Sequence, residues 1–401
     1  ALVGLFAVFA LAAEMLDRWG HRRHAEQYAG GAVAVALISL LVVTVQTLIH
    51  RGADAPLATG VYAVYAVGCL LLNLRFRKLL LTYLGLGLGG GATIWALWWA
   101  TERLDPIWAA VLAAEALAMG VTALVLRRGL VDRTTADGDP TQQPPGRDQL
   151  IEIYRVPLRH AAEVLGLIAL GAAVWTCWHD VATIHHAPEP VVTALCLGAL
   201  FLLTAWDYRS RERTWLGSMI VLAGLVHAFV LNYTGYLDLP WLDALLAHAT
   251  LAVLACVLLE AWGRRRPSRF PVDLVRRVFV GPLGETALLS SALAVAALPL
   301  VSWQNTISLA LCLFWLAGIW MVIAATHRWP VMCAAAQAML TLAVGVAATA
   351  WLQHHPWDPT GRVDLVEPRS LQVYGIGFAL LSLLWIAARM GLRRNAVAGR
   401  L

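Results

Sequence analysis

At 401 residues, with 60% apolar side chains, 14% charged side chains and a mean hydropathy of +0.68, the chain lies outside the range of soluble domains, where about a quarter of residues are charged. Its formal net charge of +5 is no nucleic-acid signature, because the arginines sit in short clusters at the ends of apolar runs and no basic stripe interleaves with aromatics. Lys78 is the only lysine, and the six cysteines show no CxxC spacing, which excludes a disulfide framework or a cysteine zinc site.

A bilayer core of about 30 Å requires roughly 20 apolar residues per helix. The sequence therefore predicts an all-α polytopic integral membrane protein with thirteen spans: 1–17, 28–48, 57–74, 79–100, 107–126, 161–178, 190–206, 215–233, 240–261, 285–302, 307–325, 331–352 and 372–389. The chain opens on Ala1 inside an apolar run, without the basic stretch of a signal peptide, and reads as a processed protein or a piece of a longer one.

Positive charge gathers at alternate connections, at Arg18, Arg22 and Arg23, then around Arg75, Arg77 and Lys78, Arg127 and Arg128, Arg209 to Arg213, Arg264 to Arg266, Arg328, and Arg393 and Arg394. By the positive-inside rule these turns are cytoplasmic. The expected orientation has the N-terminus outside and the C-terminus in the cytoplasm of a bacterial inner membrane. The opposite loops carry His and Asp, with Trp98, Trp178, Trp241, Trp303 and Trp357 near that boundary, where an apolar ring with one N–H is at home.

A four-helix unit recurs. The outer turns Leu104-Asp105-Pro106-Ile107-Trp108, Leu237-Asp238-Leu239-Pro240-Trp241 and Trp357-Asp358-Pro359 lie 133 and 120 positions apart. The basic turns Arg75-Phe76-Arg77 and Arg209-Ser210-Arg211 are offset by 134, with a weaker counterpart at Arg328. The expected organisation is a closing helix of a preceding repeat over 1–20, repeats over 21–130, 155–267 and 268–401, and a cytoplasmic linker over 131–154, rich in Pro, Gly, Asp and Thr. Four helices per unit give every repeat the same orientation, unlike the inverted repeats of many transporters. Glu26, Glu163 and Glu285 recur at matching positions and read as acidic residues at cytoplasmic helix starts.

Ionisable residues at membrane depth are the first functional candidates: Glu115, His227 and His248. A proton or cation relay uses such groups, while a neutral histidine bonded to a neighbouring helix is the plainer structural reading. The outer-loop candidates are Asp105, Asp238 and Asp358 and the pairs His185-His186 and His354-His355. Each aspartate stands at or near a proline that opens a helix, so capping explains it. Adjacent histidines cannot easily share one ion, and no HxxxH or HExxH spacing occurs, so no metal is expected. Gly85, Gly87, Gly89, Gly90 and Gly91 lie inside an apolar span, where they serve close helix packing rather than phosphate binding.

Without a nucleotide fingerprint, haem motif or paired catalytic carboxylates, the sequence favours a non-enzymatic scaffold or structural subunit of a larger membrane assembly. Its expected partners are lipid, other membrane subunits or further repeats, with no cofactor and no nucleic acid. A transporter or channel using Glu115, His227 and His248 is the alternative, followed by an enzyme acting on a lipid-linked substrate at the outer face.

Overall fold

A computed structural model describes residues 2–50, 53–134, 145–179, 187–232, 239–265, 272–298, 306–354 and 367–393. Among these residues the backbone is organised as thirteen helices: α1 Leu2–Arg18, α2 Arg22–Ile49, α3 Ala55–Phe76, α4 Leu79–Thr101, α5 Pro106–Thr134, α6 Pro145–His179 and α7 Glu189–Tyr208. There follow α8 Arg211–His227, continued by a π-helical turn Ala228–Asn232, then α9 Pro240–Arg265, α10 Val272–Ala297 with a π turn at Arg276–Val280, α11 Thr306–His327, α12 Pro330–Gln353 and α13 Pro368–Arg393. Twelve are long and apolar enough to cross a bilayer. Only α1, at 17 residues, is short, reaching about 26 Å. The protein is an all-helical, polytopic membrane protein, and its many exposed leucines, valines and isoleucines face hydrocarbon.

Local sequence sets the helix limits. Pro106, Pro240, Pro330 and Pro368 each occupy the first helical position, where the missing N–H costs nothing. Three helices end in the same way. Arg77, Arg209 and Arg328 adopt left-handed φ values of 52°, 51° and 56°. The next residue is extended in each case, at φ/ψ of −100°/122° for Lys78, −100°/123° for Ser210 and −98°/104° for Trp329, and a new helix begins directly after it. Left-handed backbone costs a non-glycine residue about 1–2 kcal/mol.

Two helices start well before their predicted spans. α6 begins at Pro145 rather than 161 and α10 at Val272 rather than 285, so Glu163 and Glu285 lie inside helices and do not stand at helix starts. The predicted linker 131–154 is helical at both ends, through Thr134 and from Pro145.

The contacts divide the chain into two compact units, Ala1–Tyr208 and Arg209–Leu401, with the division inside the predicted repeat 155–267. In the first unit, α1 packs on α2, α3 on α4, and α5 on both α6 and α7. Phe6, Ala32, Ala36, Leu40, Val61 and Tyr65 form one core, with Phe6 edge-on to Tyr65 at 4.8 Å. The glycine run lets α4 close on its neighbours. A Cβ at Gly85 would meet Leu70 at 2.7 Å, one at Gly91 would meet Tyr62 at 2.7 Å, and one at Gly90 would meet Leu165 of α6 at 3.1 Å. Gly87 and Gly89 face open space, which corrects the packing role expected of those two.

In the second unit, α9, α10, α11 and α12 surround a core that includes Leu242, Leu246, Ala294, Leu313, Leu316 and Met339. A second cluster of Ala249, Ala252, Ala287, Ile319 and Ile323 continues along the same helices. α13 packs on α12, with only 6% of its span buried.

Candidate functional site

His248, eight residues into α9, is 2% exposed and sits where α8, α9 and α10 meet. Its Nε2 lies 3.0 Å from the carbonyl of Ser218 and 3.1 Å from the Ser218 hydroxyl, and its Nδ1 lies 3.0 Å from the Ser290 hydroxyl. A carbonyl only accepts, so Nε2 carries a hydrogen, while Nδ1 faces the Ser290 hydroxyl, which also reaches the Thr286 carbonyl at 3.0 Å. Both ring nitrogens are therefore engaged. Ser218 Oγ bonds Thr286 Oγ1 at 2.8 Å, and Thr286 donates to the Leu283 carbonyl at 3.1 Å. Ser218, Thr286 and Ser290 are buried, so every polar group at this crossing is matched inside the protein, as low-dielectric surroundings demand.

The network has neighbours along α10 and α8. Ser291 accepts from Trp320 Nε1 at 2.9 Å, tying α11 to α10. Thr214, one turn from Ser218, is fully buried, and its hydroxyl finds no partner among the described residues. Toward the arginine-bearing end, Arg211 holds Glu285 through two bonds of 2.5 and 2.7 Å. Glu260 accepts from Arg264 at 2.9 Å and also pairs with Arg276. The His327 ring lies directly against Gly284, in space a Cβ would fill.

The other sequence candidates are dispersed. Glu115 is half-buried on α5 in the first unit, and its Oε2 is shielded from solvent without a hydrogen-bond partner among the described residues. His227 is half-buried at the junction of α8 with its π turn, about 13 Å along the helix from Ser218. Asp105 caps α5, its Oδ1 accepting from the Ile107 N–H at 3.2 Å. His354 ends α12 and donates from Nδ1 to the Ala350 carbonyl at 2.8 Å. Asp238, Asp358, His185, His186 and His355 lie outside the described residues. Among the described residues no three His, Cys, Asp or Glu side chains converge on a possible metal position.

Sequence reasoning found His248 but missed Ser218, Thr286, Ser290 and Ser291. The only signal available was the Ser290-Ser291 pair inside an apolar run, and hydroxyls in membrane helices commonly bond to their own backbone. Comparison with protein-family models, curated proteins and solved structures finds no match.

Proposed function

We propose that this chain is a membrane-embedded scaffold or structural subunit of a larger membrane assembly, without catalysis of its own. The observation that carries the reading is the His248 crossing, where the ionisable side chain at membrane depth is buried and spent on holding three helices together. A transported ion or substrate needs polar groups that exchange partners at depth, whereas these groups are matched to one another.

In this reading the chain is a tandem array of same-orientation four-helix repeats over 21–130, 155–267 and 268–401, preceded by the closing helix of another repeat. Its arginine turns are cytoplasmic and its N-terminus is outside, in a bacterial inner membrane. The left-handed turns at Arg77, Arg209 and Arg328, each followed by one extended residue and a new helix, support the repeat with the first turn shifted two residues from the sequence register, whereas the left-handed Glu102 is not followed directly by a helix. The sparsely buried α13 offers a face to another membrane subunit or to a further repeat. A photo-crosslinking residue in place of Leu384, which is 68% exposed, tests this in intact membranes. The expected product is one discrete protein adduct; adducts to lipid alone contradict the scaffold reading.

A second reading, a transporter or channel, draws on Glu115, whose shielded carboxyl oxygen lacks an internal partner. In proteoliposomes containing the purified chain, Glu115→Gln leaves ion or proton flux unchanged if the scaffold reading holds. Flux present in the native chain and abolished by that substitution favours transport.

A further inference from the structure

Four helices of the first unit bring polar side chains together at one arginine-bearing boundary. Tyr83 lies in the second turn of α4, Arg127 near the end of the apolar part of α5, Arg155 and Arg159 at the start of the apolar part of α6, and Asp207 and Tyr208 at the end of α7. Three side-chain pairings bind these elements. Tyr83 Oη is 2.6 Å from His160 Nδ1, Arg127 pairs with Asp207, and the Arg159 guanidinium carbon lies 4.6 Å above the Tyr208 ring. The Asp207 side chain is 6% exposed and committed to Arg127.

Arg155 and Arg159 stand one turn apart on the same face of α6, a spacing at which like charges repel. The Nε of each is buried and meets no acceptor among the described residues. Unpaired guanidinium N–H groups removed from water are costly, and an anion between them relieves both the repulsion and the unmet donors. The surroundings are arranged to receive one. The Tyr208 ring holds Arg159 flat through a cation–π contact. Arg159 Nη2 reaches His160 Nε2 at 3.4 Å, so the His160 hydrogen is on Nδ1 and is donated to Tyr83 Oη. The Tyr83 hydrogen then remains available to an outside acceptor.

We infer that this boundary binds the phosphate diester of an anionic phospholipid, with Arg155 and Arg159 clamping its oxygens and the Tyr83 hydroxyl adding a third hydrogen bond. Paired arginines suit phosphate because each presents parallel N–H donors, and basic pockets between membrane helices commonly take lipid headgroups. A lipid fits better than free phosphate because the clamp adjoins hydrocarbon. Leu167 and Leu170, deeper on α6 and within about 80° of Arg159 round the helix, are 63% and 36% exposed and give the acyl chains a surface to lie on.

The test uses the full chain in phosphatidylcholine vesicles with and without phosphatidylglycerol, followed by native mass spectrometry after detergent exchange. Wild type is expected to retain phosphatidylglycerol and to gain Tm from it, as binding to the native state requires. R155Q/R159Q is expected to lose affinity on the order of a hundredfold and to gain no Tm, while matching wild type in phosphatidylcholine alone. R155Q by itself, which removes no side-chain bond among the described residues, serves if the double variant does not fold, and is expected to lose about tenfold. R75Q, whose arginine is taken by Asp17, leaves retention unchanged. Equal retention by wild type and R155Q overturns the inference. So does stabilisation by inorganic phosphate equal to that by the lipid, which assigns the clamp to a free anion.

Discussion

Replacing His248 by alanine is the sharpest probe of how the second unit is held together. The substitution removes the bonds to the Ser218 carbonyl and the Ser290 hydroxyl, and interhelical hydrogen bonds in membranes are worth about 0.6 to 1.7 kcal/mol each. It also opens a void of roughly 60 Å³, which at about 24 cal/mol per Å³ adds about 1.5 kcal/mol. Little is added for an orphaned Ser290, because its hydroxyl already donates to the Thr286 carbonyl at 3.0 Å. The expected loss is about 3 to 5 kcal/mol, measured by reversible unfolding in mixed micelles titrated with dodecyl sulfate and followed by circular dichroism. Removing Ser290 as well isolates the direct term. The coupling between His248→Ala and Ser290→Ala should be about 0.6 to 1.7 kcal/mol, and that between His248→Ala and Thr341→Ala, exposed on α12 of the same unit, should be near zero. A coupling to Ser290 indistinguishable from zero, or a total loss under about 1 kcal/mol, refutes the view that this histidine ties α8, α9 and α10 together.

Other perturbations separate neighbouring residues that look alike in sequence. Gly85→Ala and Gly91→Ala should each destabilise the first unit by about 1 to 3 kcal/mol, because the new methyl meets Leu70 or Tyr62. Gly87→Ala and Gly89→Ala should be neutral or slightly stabilising in the same unfolding assay, as alanine favours helix and the space is open. Gly284→Ala should cost a similar 1 to 3 kcal/mol by driving into the His327 ring. Shortening that ring in Gly284→Ala/His327→Ala should recover most of the loss, and failure to recover it would show that the α10 backbone, not the ring, sets the limit. Single cysteines at Lys78, Ser210 and Trp329 in a cysteine-free background should react with an impermeant maleimide from the same side of the membrane. Labelling of any one from the opposite side breaks the same-orientation repeat.

The membrane class was legible because hydropathy is summed over some twenty residues, so no single misreading matters. Helix limits were less legible for a physical reason. Hydropathy marks where hydrocarbon begins, while a helix continues past it as long as its backbone bonds are met, and α6 accordingly extends outward through Arg159, Pro157 and Arg155 to Pro145. The same holds for α10, whose first turns carry Arg276 and Arg277. Glu163 and Glu285, taken from sequence as helix-start charges, are for this reason interior residues, and Glu285 has become the partner of Arg211.

Within the candidate site, what sequence exposes is the exceptional residue, and what it hides is the arrangement of ordinary ones. An ionisable His248 in an apolar run stands out because its burial demands an explanation. Ser218, Thr286 and Ser290 do not stand out, since each could satisfy itself against its own helix, and only the crossing of three helices selects them. The glycine run shows the same limit within one helix. Five nearly consecutive glycines look equivalent on paper, yet Gly85, Gly90 and Gly91 meet Leu70, Leu165 and Tyr62 of neighbouring helices while Gly87 and Gly89 meet nothing within 4 Å. Composition thus reports which solvent the chain inhabits, and the neighbouring helix at each level decides which of its polar and small residues carry the packing. Specificity of packing therefore lies in matched pairs such as His248 with Ser290 and Arg211 with Glu285, which no residue in isolation reveals.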